Sequence, residues 1–122
     1  MFEDKTILVV DDEPDLREIT SFEFEYKGAT VISASGGHAA LEIVKKQKID
    51  LVISDVRMPE GSGGELLLAM KEQNLLKKTP IILMTGFSDL TRESAIKSGA
   101  LELFYKPVRW QEVIEFVASK IT

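Results

Sequence analysis

Five short apolar runs alternate with stretches of helical periodicity along the whole chain, and this alternation constrains the fold more than any other feature. Three of the runs, "ILVV", "LVIS" and "IILM", are continuously apolar, which is typical of parallel strands that are covered on both faces. Strands that alternate with helices over short links predict a doubly wound α/β sandwich. The predicted strands are Thr6–Val10, Ala29–Ser33, Leu51–Ser54, Ile81–Thr85 and Glu102–Tyr105.

The first predicted helix begins at a proline and has a broad apolar face. Pro14 suits the first turn of a helix, where no amide donor is lost. Leu16, Ile19 and Phe24 share the apolar face. Glu23 falls near the middle of this face. Because a buried unpaired carboxylate is costly, we expect Glu23 to lie at an edge or beside a cation.

The last predicted helix carries the most regular apolar stripe. Its apolar residues recur at the spacing of one helical face, and they are Trp110, Val113, Ile114, Val117 and Ile121. Phe116 on this helix and Phe22 on the first helix fall off their stripes. We therefore expect both rings to be exposed. They either anchor a partner or belong to the scattered apolar residues that protein surfaces normally carry.

Composition excludes several kinds of site. The 122 residues, 44% of them hydrophobic and 29% charged, suit one domain, residues 1–122, whose core needs no metal or disulfide. The absence of cysteine excludes a disulfide, a thiol nucleophile and a thiolate metal site. The single histidine, His38, excludes a multi-histidine metal site, and we expect it to be a solvated surface residue.

Charge and hydropathy limit the partners of the chain. The net charge of −5 argues against a general nucleic-acid binder, which needs a basic face. No apolar run approaches the roughly 20 residues of a membrane span, and the N-terminus lacks a signal-peptide pattern. We therefore expect a cytoplasmic protein that binds neither nucleic acid nor a membrane directly.

Polar side chains follow four of the five predicted strands. Asp11 and Asp12 come after the first strand, and Asp55 comes after the third. Thr85 ends the fourth strand, and Lys106 follows the fifth. Because the carboxyl ends of parallel strands meet at one edge of the sheet, where ligands of such folds bind, we expect these side chains to converge.

Three converging carboxylates predict a cation, and Mg²⁺ fits best. Mg²⁺ takes oxygen ligands and typically uses one or two carboxylates together with waters and a substrate phosphate. Asp12 and Asp55 are candidate direct ligands, and Asp11 is a candidate holder of a bound water. Each residue alone has an ordinary alternative, since an aspartate after a strand is often a helix N-cap. Lone Thr85 is equally typical of a turn, and lone Lys106 of a solvated surface.

Four motifs occur in a characteristic order and spacing: "VVDDEPD", "ISDVRMP", "LMTGF" and "YKPV". Together they resemble the receiver domain of two-component response regulators, with the chemotaxis regulator as the archetype, over the whole chain. The resemblance implies a flavodoxin-like (βα)5 fold with a five-stranded parallel sheet in the order 2-1-3-4-5.

The resemblance also implies a chemistry. Asp55 would accept a phosphoryl group from a phosphohistidine of a sensor histidine kinase or a histidine phosphotransfer protein, which makes an aspartyl phosphate. Asp11, Asp12, Asp55 and the backbone carbonyl of Arg57 would hold Mg²⁺. Such a protein is a regulatory phosphoacceptor that catalyses only its own phosphotransfer and slow autodephosphorylation, rather than an enzyme that acts on other substrates.

Two further residues complete the implied site. Lys106 would pair with one phosphoryl oxygen and Thr85 would hydrogen-bond another, and the peptide bond before Pro107 is expected to be cis. Phosphorylation would then change the surface formed by the fourth helix, the fifth strand and the fifth helix, which controls an output domain or partner protein. A phosphorylation-dependent dimer is a further possibility that the family offers.

The sequence departs from the family pattern at two positions. Leu103 stands where the family usually carries an aromatic switch residue, three positions before the lysine, and Tyr105 is expected to be an ordinary strand residue. Gly64 stands where the family favours a large apolar residue. We expect either a mobile, lightly packed start of the third helix or simply a tighter turn.

Two other functions compete with this one. A phosphohydrolase of the haloacid dehalogenase type also uses Mg²⁺ and an aspartyl phosphate. It takes its nucleophile from a D-x-D motif after the first strand, a scheme in which Asp55 has no place. The second is a degenerate receiver that acts as a phosphorylation-independent protein-interaction module, which Leu103 favours and the filled chemical positions oppose. The chain is expected to be either a single-domain regulator or the receiver of a longer transcription factor.

Overall fold

Five parallel strands form one sheet in the computed structural model, which describes residues 1–87 and 90–122. The strand order β2-β1-β3-β4-β5 confirms the predicted doubly wound, flavodoxin-like fold. The strands are β1 Thr6–Val10, β2 Thr30–Ala34, β3 Leu51–Asp55, β4 Ile81–Thr85 and β5 Glu102–Tyr105. The helices are α1 Pro14–Glu25, α2 Gly37–Lys46, α3 Gly63–Glu72, α4 Arg92–Lys97 and α5 Trp110–Ile121. Among the described residues, no helix has the length and apolar character that crossing a bilayer requires.

Two strands differ from their predicted bounds by one residue, and hydrogen bonding explains both differences. Ala29 lies outside β2 because its N–H donates to the carbonyl of Phe24 and so closes the turn after α1. Ala34 belongs to β2 because it lies in register with Val10. Asp55 belongs to β3 because it lies in register with a residue of β4. The backbone of Asp55 is therefore held by the sheet rather than by a loop.

The core has two halves, one on each face of the sheet. In β1, Ile7 and Val9 face a cluster that includes side chains of α1 and α5. Leu8 and Val10 face a second cluster that includes side chains of α2, α3 and α4. All four residues are buried, which explains why the strand is apolar at consecutive positions.

The apolar stripe predicted on α5 is confirmed, because all of its residues pack in the cluster on the α1 and α5 face. The prediction for Phe116 is wrong. Its side chain is half-buried, and its ring meets the ring of Phe104 edge-on with 5.8 Å between centroids. Phe104 lies on β5, at the edge of the sheet, and gives Phe116 an aromatic partner outside the stripe.

The apolar face predicted on α1 is partly wrong. Thr20 and Phe24 are buried, whereas Ile19 is 49% exposed. The helix therefore packs through Thr20 and Phe24 rather than through Ile19. Glu23 is half-buried, as a position at the margin of that stripe requires. Phe22 is 59% exposed, which confirms the expectation for this ring.

The start of α3 is tightly packed at one glycine and open at the next. Ser62 caps the helix by accepting a hydrogen bond from the N–H of Glu65. A Cβ on Gly63 would lie 2.4 Å from the carbonyl oxygen of Asp55. A Cβ on Gly64 would meet nothing closer than 3.8 Å, and Gly64 lines a cavity of about 320 Å³ between α3 and α4. The light packing expected at Gly64 is therefore present.

Candidate functional site

The carboxyl ends of β1 and β3 bring three aspartates together. Asp11 directly follows β1, and its N–H donates to the carbonyl of Ala34 at the end of β2. Asp55 is the last residue of β3. Carboxylate oxygens of Asp11, Asp12 and Asp55 all lie within 4.8 Å of one another. The convergence predicted from the strand ends is therefore observed.

Lys106 supplies a positive charge to this cluster. Its Nζ lies 3.4 Å from Oδ1 of Asp55 and 3.7 Å from Oδ2 of Asp11. The N–H of Lys106 donates to the carbonyl of Thr85 over 2.8 Å, which fixes the start of the loop after β5. The peptide bond between Lys106 and Pro107 is cis, as expected. Lys106 thus brings one positive charge to the three carboxylates.

Asp11 has the most constrained environment of the three carboxylates. Its side chain is buried, and its Oδ1 accepts a hydrogen bond from the N–H of Glu13 over 2.9 Å. Its Oδ2 is buried without a hydrogen-bond partner among residues 1–87 and 90–122. Buried carboxylate oxygens normally find a partner, and an oxygen-rich pocket with an unpartnered oxygen suits a hard divalent cation. The donor set therefore fits Mg²⁺.

The alternative that Asp11 or Asp12 is simply the N-cap of α1 is wrong. The residue that precedes α1 as its N-cap is Glu13, and its side chain makes no capping hydrogen bond. Neither Asp11 nor Asp12 occupies that position. Their place in the cluster is therefore not explained by the start of the helix.

Asp55 is half-buried, and burial raises its pKa above the ordinary value for an aspartate. Lys106 opposes this shift and lowers the pKa, whereas the nearby charge of Asp11 raises it further. The N–H of Val56 donates to Oδ1 of Asp55 over 2.9 Å, which also favours the ionised form. The net effect is a carboxylate that binds a proton more readily than a solvated aspartate does.

Thr85 and Arg57 lie at the same edge of the sheet. Thr85 is buried at the end of β4, which neighbours β3, and its Oγ1 accepts a hydrogen bond from the N–H of Phe87 over 3.1 Å. Its hydroxyl proton is a donor that this bond does not use. Arg57 follows Asp55 by two residues, and its guanidinium lies 3.9 Å from the centroid of the Phe87 ring.

Sequence reasoning missed two contacts beside the site. Arg17 of α1 donates from Nη1 to the carbonyl of Asp11 over 2.8 Å and so ties the helix to the end of β1. The stacking of Arg57 on Phe87 was also missed, although each residue follows a site residue by two positions. His38 is exposed, as predicted, and its Nε2 lies 3.7 Å from Glu65.

Comparison with known proteins identifies the family of this site. Residues 7–118 match the sequence model of the response regulator receiver domain. The chain belongs to this family. Membership argues against the phosphohydrolase of the haloacid dehalogenase type, because the receiver family is a family of regulatory phosphoacceptors.

Sequences similar to this chain occur in proteins of very different length. An uncharacterized 14.6 kDa protein of Leptolyngbya boryana is 37% identical over 112 residues, which cover 91% of this chain and 86% of the relative. The response regulator protein PilR of Pseudomonas aeruginosa is 32% identical over 115 residues, which cover 93% of this chain but 25% of PilR. The structure of TrrA from Thermotoga maritima in complex with Mg²⁺-BeF has a TM-score of 0.83 and 35% identity, and the match covers 94% of this chain and 97% of TrrA.

Proposed function

We propose that this receiver domain accepts a phosphoryl group on Asp55 from a phosphohistidine in a Mg²⁺-dependent reaction. The donor is a sensor histidine kinase or a histidine phosphotransfer protein. The observation that carries the proposal is the cluster of Asp11, Asp12 and Asp55. Within the described residues, Oδ2 of Asp11 is buried without a hydrogen-bond partner, and Nζ of Lys106 lies 3.4 Å from Oδ1 of Asp55. We further propose that residues 1–122 form one domain that works in the cytoplasm.

The covalent step is an in-line displacement at phosphorus. A carboxylate oxygen of Asp55 forms a bond to phosphorus while the bond between phosphorus and the histidine nitrogen breaks. The electron pair of the broken bond remains on that ring nitrogen. The product is an aspartyl phosphate, and its hydrolysis by water returns inorganic phosphate and the free carboxylate.

The residues of this chain hold the reacting groups. Asp11, Asp12, Asp55 and the backbone carbonyl of Arg57 would bind Mg²⁺. When bound, this ion neutralises charge on the phosphoryl oxygens. Lys106, whose Nζ already lies 3.4 Å from Asp55, pairs with one phosphoryl oxygen.

Thr85 donates its hydroxyl proton to another phosphoryl oxygen. Because Thr85 precedes the segment that leads to α4, this contact changes the surface of α4, β5 and α5. That surface controls an output domain or a partner protein, and it is also where a phosphorylation-dependent dimer would form. The energy for the change comes from the added charge and acceptor oxygens of the phosphoryl group.

The phosphodonor docks beside α1. A cavity of about 450 Å³ opens next to Asp11 and Lys106, and side chains of α1 and of the start of α5 line it. Ile19 lies at this cavity, and Phe22 stands exposed one turn further along α1. Exposed apolar side chains of this kind suit the apolar face of a partner helix.

Intact-mass spectrometry tests the proposal. The protein and its Asp55→Asn variant are incubated with a small phosphoramidate donor, with and without Mg²⁺. We expect the mass of one added phosphoryl group on the unchanged protein only when Mg²⁺ is present, and none on the variant. Absence of modification in the presence of Mg²⁺ would favour a phosphorylation-independent interaction module instead.

A further inference from the structure

Two side chains of β5 reach across to the segment that leads into α4. Tyr105 donates its hydroxyl proton to the carbonyl of Leu90 over 2.6 Å. Glu102 accepts hydrogen bonds from Nε and Nη2 of Arg92 over 2.5 and 3.0 Å. Tyr105 is therefore more than the ordinary strand residue that the sequence suggested. Leu90 and Arg92 lie just before and at the start of α4, so β5 holds this end of the segment at two points.

The contact between Glu102 and Arg92 joins a buried charge to an exposed one. Glu102 is only 8% exposed, and its Oε1 also accepts a hydrogen bond from the N–H of Leu103. Its carboxylate raises the pKa of Arg92, mainly through their hydrogen bonds. Displacing Arg92 would leave a nearly buried carboxylate without its cation, which is unfavourable. The pair therefore resists any movement of the first turn of α4 away from β5.

The other end of the same segment is also held by β5. Thr85 lies in register with Tyr105, and the carbonyl of Thr85 accepts a hydrogen bond from Lys106. Its Oγ1 accepts from the N–H of Phe87, which links the side chain to the backbone that follows. Only four residues lie between Thr85 and Leu90 in the sequence, and Thr85 and Leu90 are held by the contacts from Lys106 and Tyr105.

This anchoring bears on the hydroxyl of Thr85. If the hydroxyl turns toward a phosphoryl group on Asp55, its hydrogen bond to the N–H of Phe87 draws that backbone in the same direction. The proposed change in the surface of α4, β5 and α5 would then include the contact between Tyr105 and Leu90. A contact that exists only in the unphosphorylated arrangement stabilises that arrangement. It therefore lowers the affinity of the protein for any ligand that binds more tightly to the other arrangement.

We propose that Tyr105 and Glu102 are positioning residues that hold Leu90 and Arg92, just before and at the start of α4, in the unphosphorylated arrangement and thereby lower the affinity of the site for a phosphoryl group. The inference rests on the proposed function, since it concerns regulation of the same site. It also assigns a role to Tyr105, which lies one position before Lys106. The position three before Lys106, where the family usually carries an aromatic residue, is Leu103 in this chain. Leu103 is buried among apolar side chains and has no polar group to offer.

The test is the affinity for beryllofluoride, a phosphoryl mimic, in the presence of Mg²⁺. Binding is followed by the fluorescence of Trp110, the single tryptophan, which lines the same cavity as Lys106. Removing one hydrogen bond in Tyr105→Phe should raise the affinity about 2-fold to 10-fold. Glu102→Gln keeps an acceptor for Leu103 but removes the charge that holds Arg92, and it should change the affinity in the same direction.

Two controls separate positioning from a general effect on the structure. Tyr26→Phe changes the other tyrosine, which is 74% exposed and lies directly after α1, and should leave the affinity unchanged. Binding of Mg²⁺ alone should be the same in all variants, because the carboxylates of the cluster are intact. A disturbed site would instead alter Mg²⁺ binding as well.

The outcomes distinguish this inference from the proposed function. Unchanged or lower affinity of Tyr105→Phe for beryllofluoride, with normal binding by the unchanged protein, would overturn the inference alone. Failure of the unchanged protein to bind beryllofluoride with Mg²⁺ would contradict the proposed function and the inference together. If Glu102→Gln does not fold, Tyr105→Phe decides the question, because its hydroxyl lies at the surface.

Discussion

At the scale of single residues, Asp55 lies at the centre of the site, and its ionised form is less favourable than that of a solvated aspartate. Burial and the neighbouring Asp11 raise its pKa, and Lys106 only partly offsets them. Such a shift costs stability wherever the carboxylate is ionised, since the folded protein prefers the protonated form more strongly than the unfolded chain does. The negative charge collected at this site therefore lowers the free energy of unfolding of the metal-free protein.

We predict that Asp55→Asn stabilises the metal-free protein at neutral pH. The folded pKa of Asp55 is raised, so stability is highest below the unfolded pKa and falls as pH rises through the folded pKa. Asparagine stays neutral, so the variant should unfold a few degrees higher at neutral pH, and its advantage should disappear in acid. Thermal unfolding at neutral and at acidic pH, in the presence of a chelator, measures the gain and its loss.

The matched control for this prediction is Asp4→Asn. Asp4 is exposed and has a positive φ, which asparagine also adopts readily. Removing its exposed charge should leave the unfolding temperature at neutral pH close to that of the unchanged protein. An Asp55→Asn protein that is less stable than the unchanged protein at neutral pH would contradict the assigned cost of this carboxylate.

The strand ends made most of the site predictable from the sequence. Asp11, Asp12, Asp55 and Lys106 each follow an apolar run, and parallel strands deliver them to one edge. The contact of Arg17 with the carbonyl of Asp11 was not predictable, because the direction of a long side chain leaves no periodic signal. Burial of individual carboxylates likewise depends on how the loops pack.

At the scale of elements, the two glycines at the start of α3 have opposite environments. A Cβ on Gly63 would meet the carbonyl oxygen of Asp55, whereas a Cβ on Gly64 would meet open space. The sequence "SGGE" gives no way to tell them apart, since the difference comes from which residue faces β3. The same limit explains the errors on α1 and α5, where packing against neighbours decided the positions of Ile19 and Phe116.

We predict opposite effects of alanine at these two positions. Gly64→Ala should raise the free energy of unfolding by about 0.5–1 kcal/mol, because alanine is the better helix residue and its methyl group has room. Gly63→Ala should lower it by at least about 1 kcal/mol, because the backbone of α3 or of Asp55 has to shift. Urea unfolding of the pair measures both, and equal effects would contradict the packing described.

At the scale of the whole molecule, the proposed function assigns different roles to the two faces of the sheet. The α1 side of the site has an apolar cavity and exposed side chains, where we propose that the phosphodonor docks, and α4 belongs to the proposed output surface. Both sides meet at the carboxyl edge of the sheet, where Asp55 lies. The proposed function therefore requires that phosphorylation at this edge changes the surface of α4, β5 and α5 without unfolding the core.

We predict that Phe22→Ala slows phosphotransfer from a cognate phosphohistidine protein without changing phosphorylation by a small donor. The ring is 59% exposed on α1, and loss of an apolar anchor at a docking surface typically costs about 10-fold or more in transfer efficiency. Leu68→Ala is the matched control, because Leu68 is exposed on α3, on the other face of the sheet. Equal losses in both variants, or a loss with the small donor, would contradict docking at α1.

The most direct test of the central claim identifies the carboxylate that carries the phosphoryl group. The protein is phosphorylated with a small donor and Mg²⁺, reduced with borohydride, which converts an aspartyl phosphate to homoserine, and mapped by peptide mass spectrometry. We predict homoserine at position 55 alone. Homoserine at position 11 or 12 would show that the nucleophile is a different member of the cluster, and its absence from all three positions would contradict phosphoryl transfer at this site.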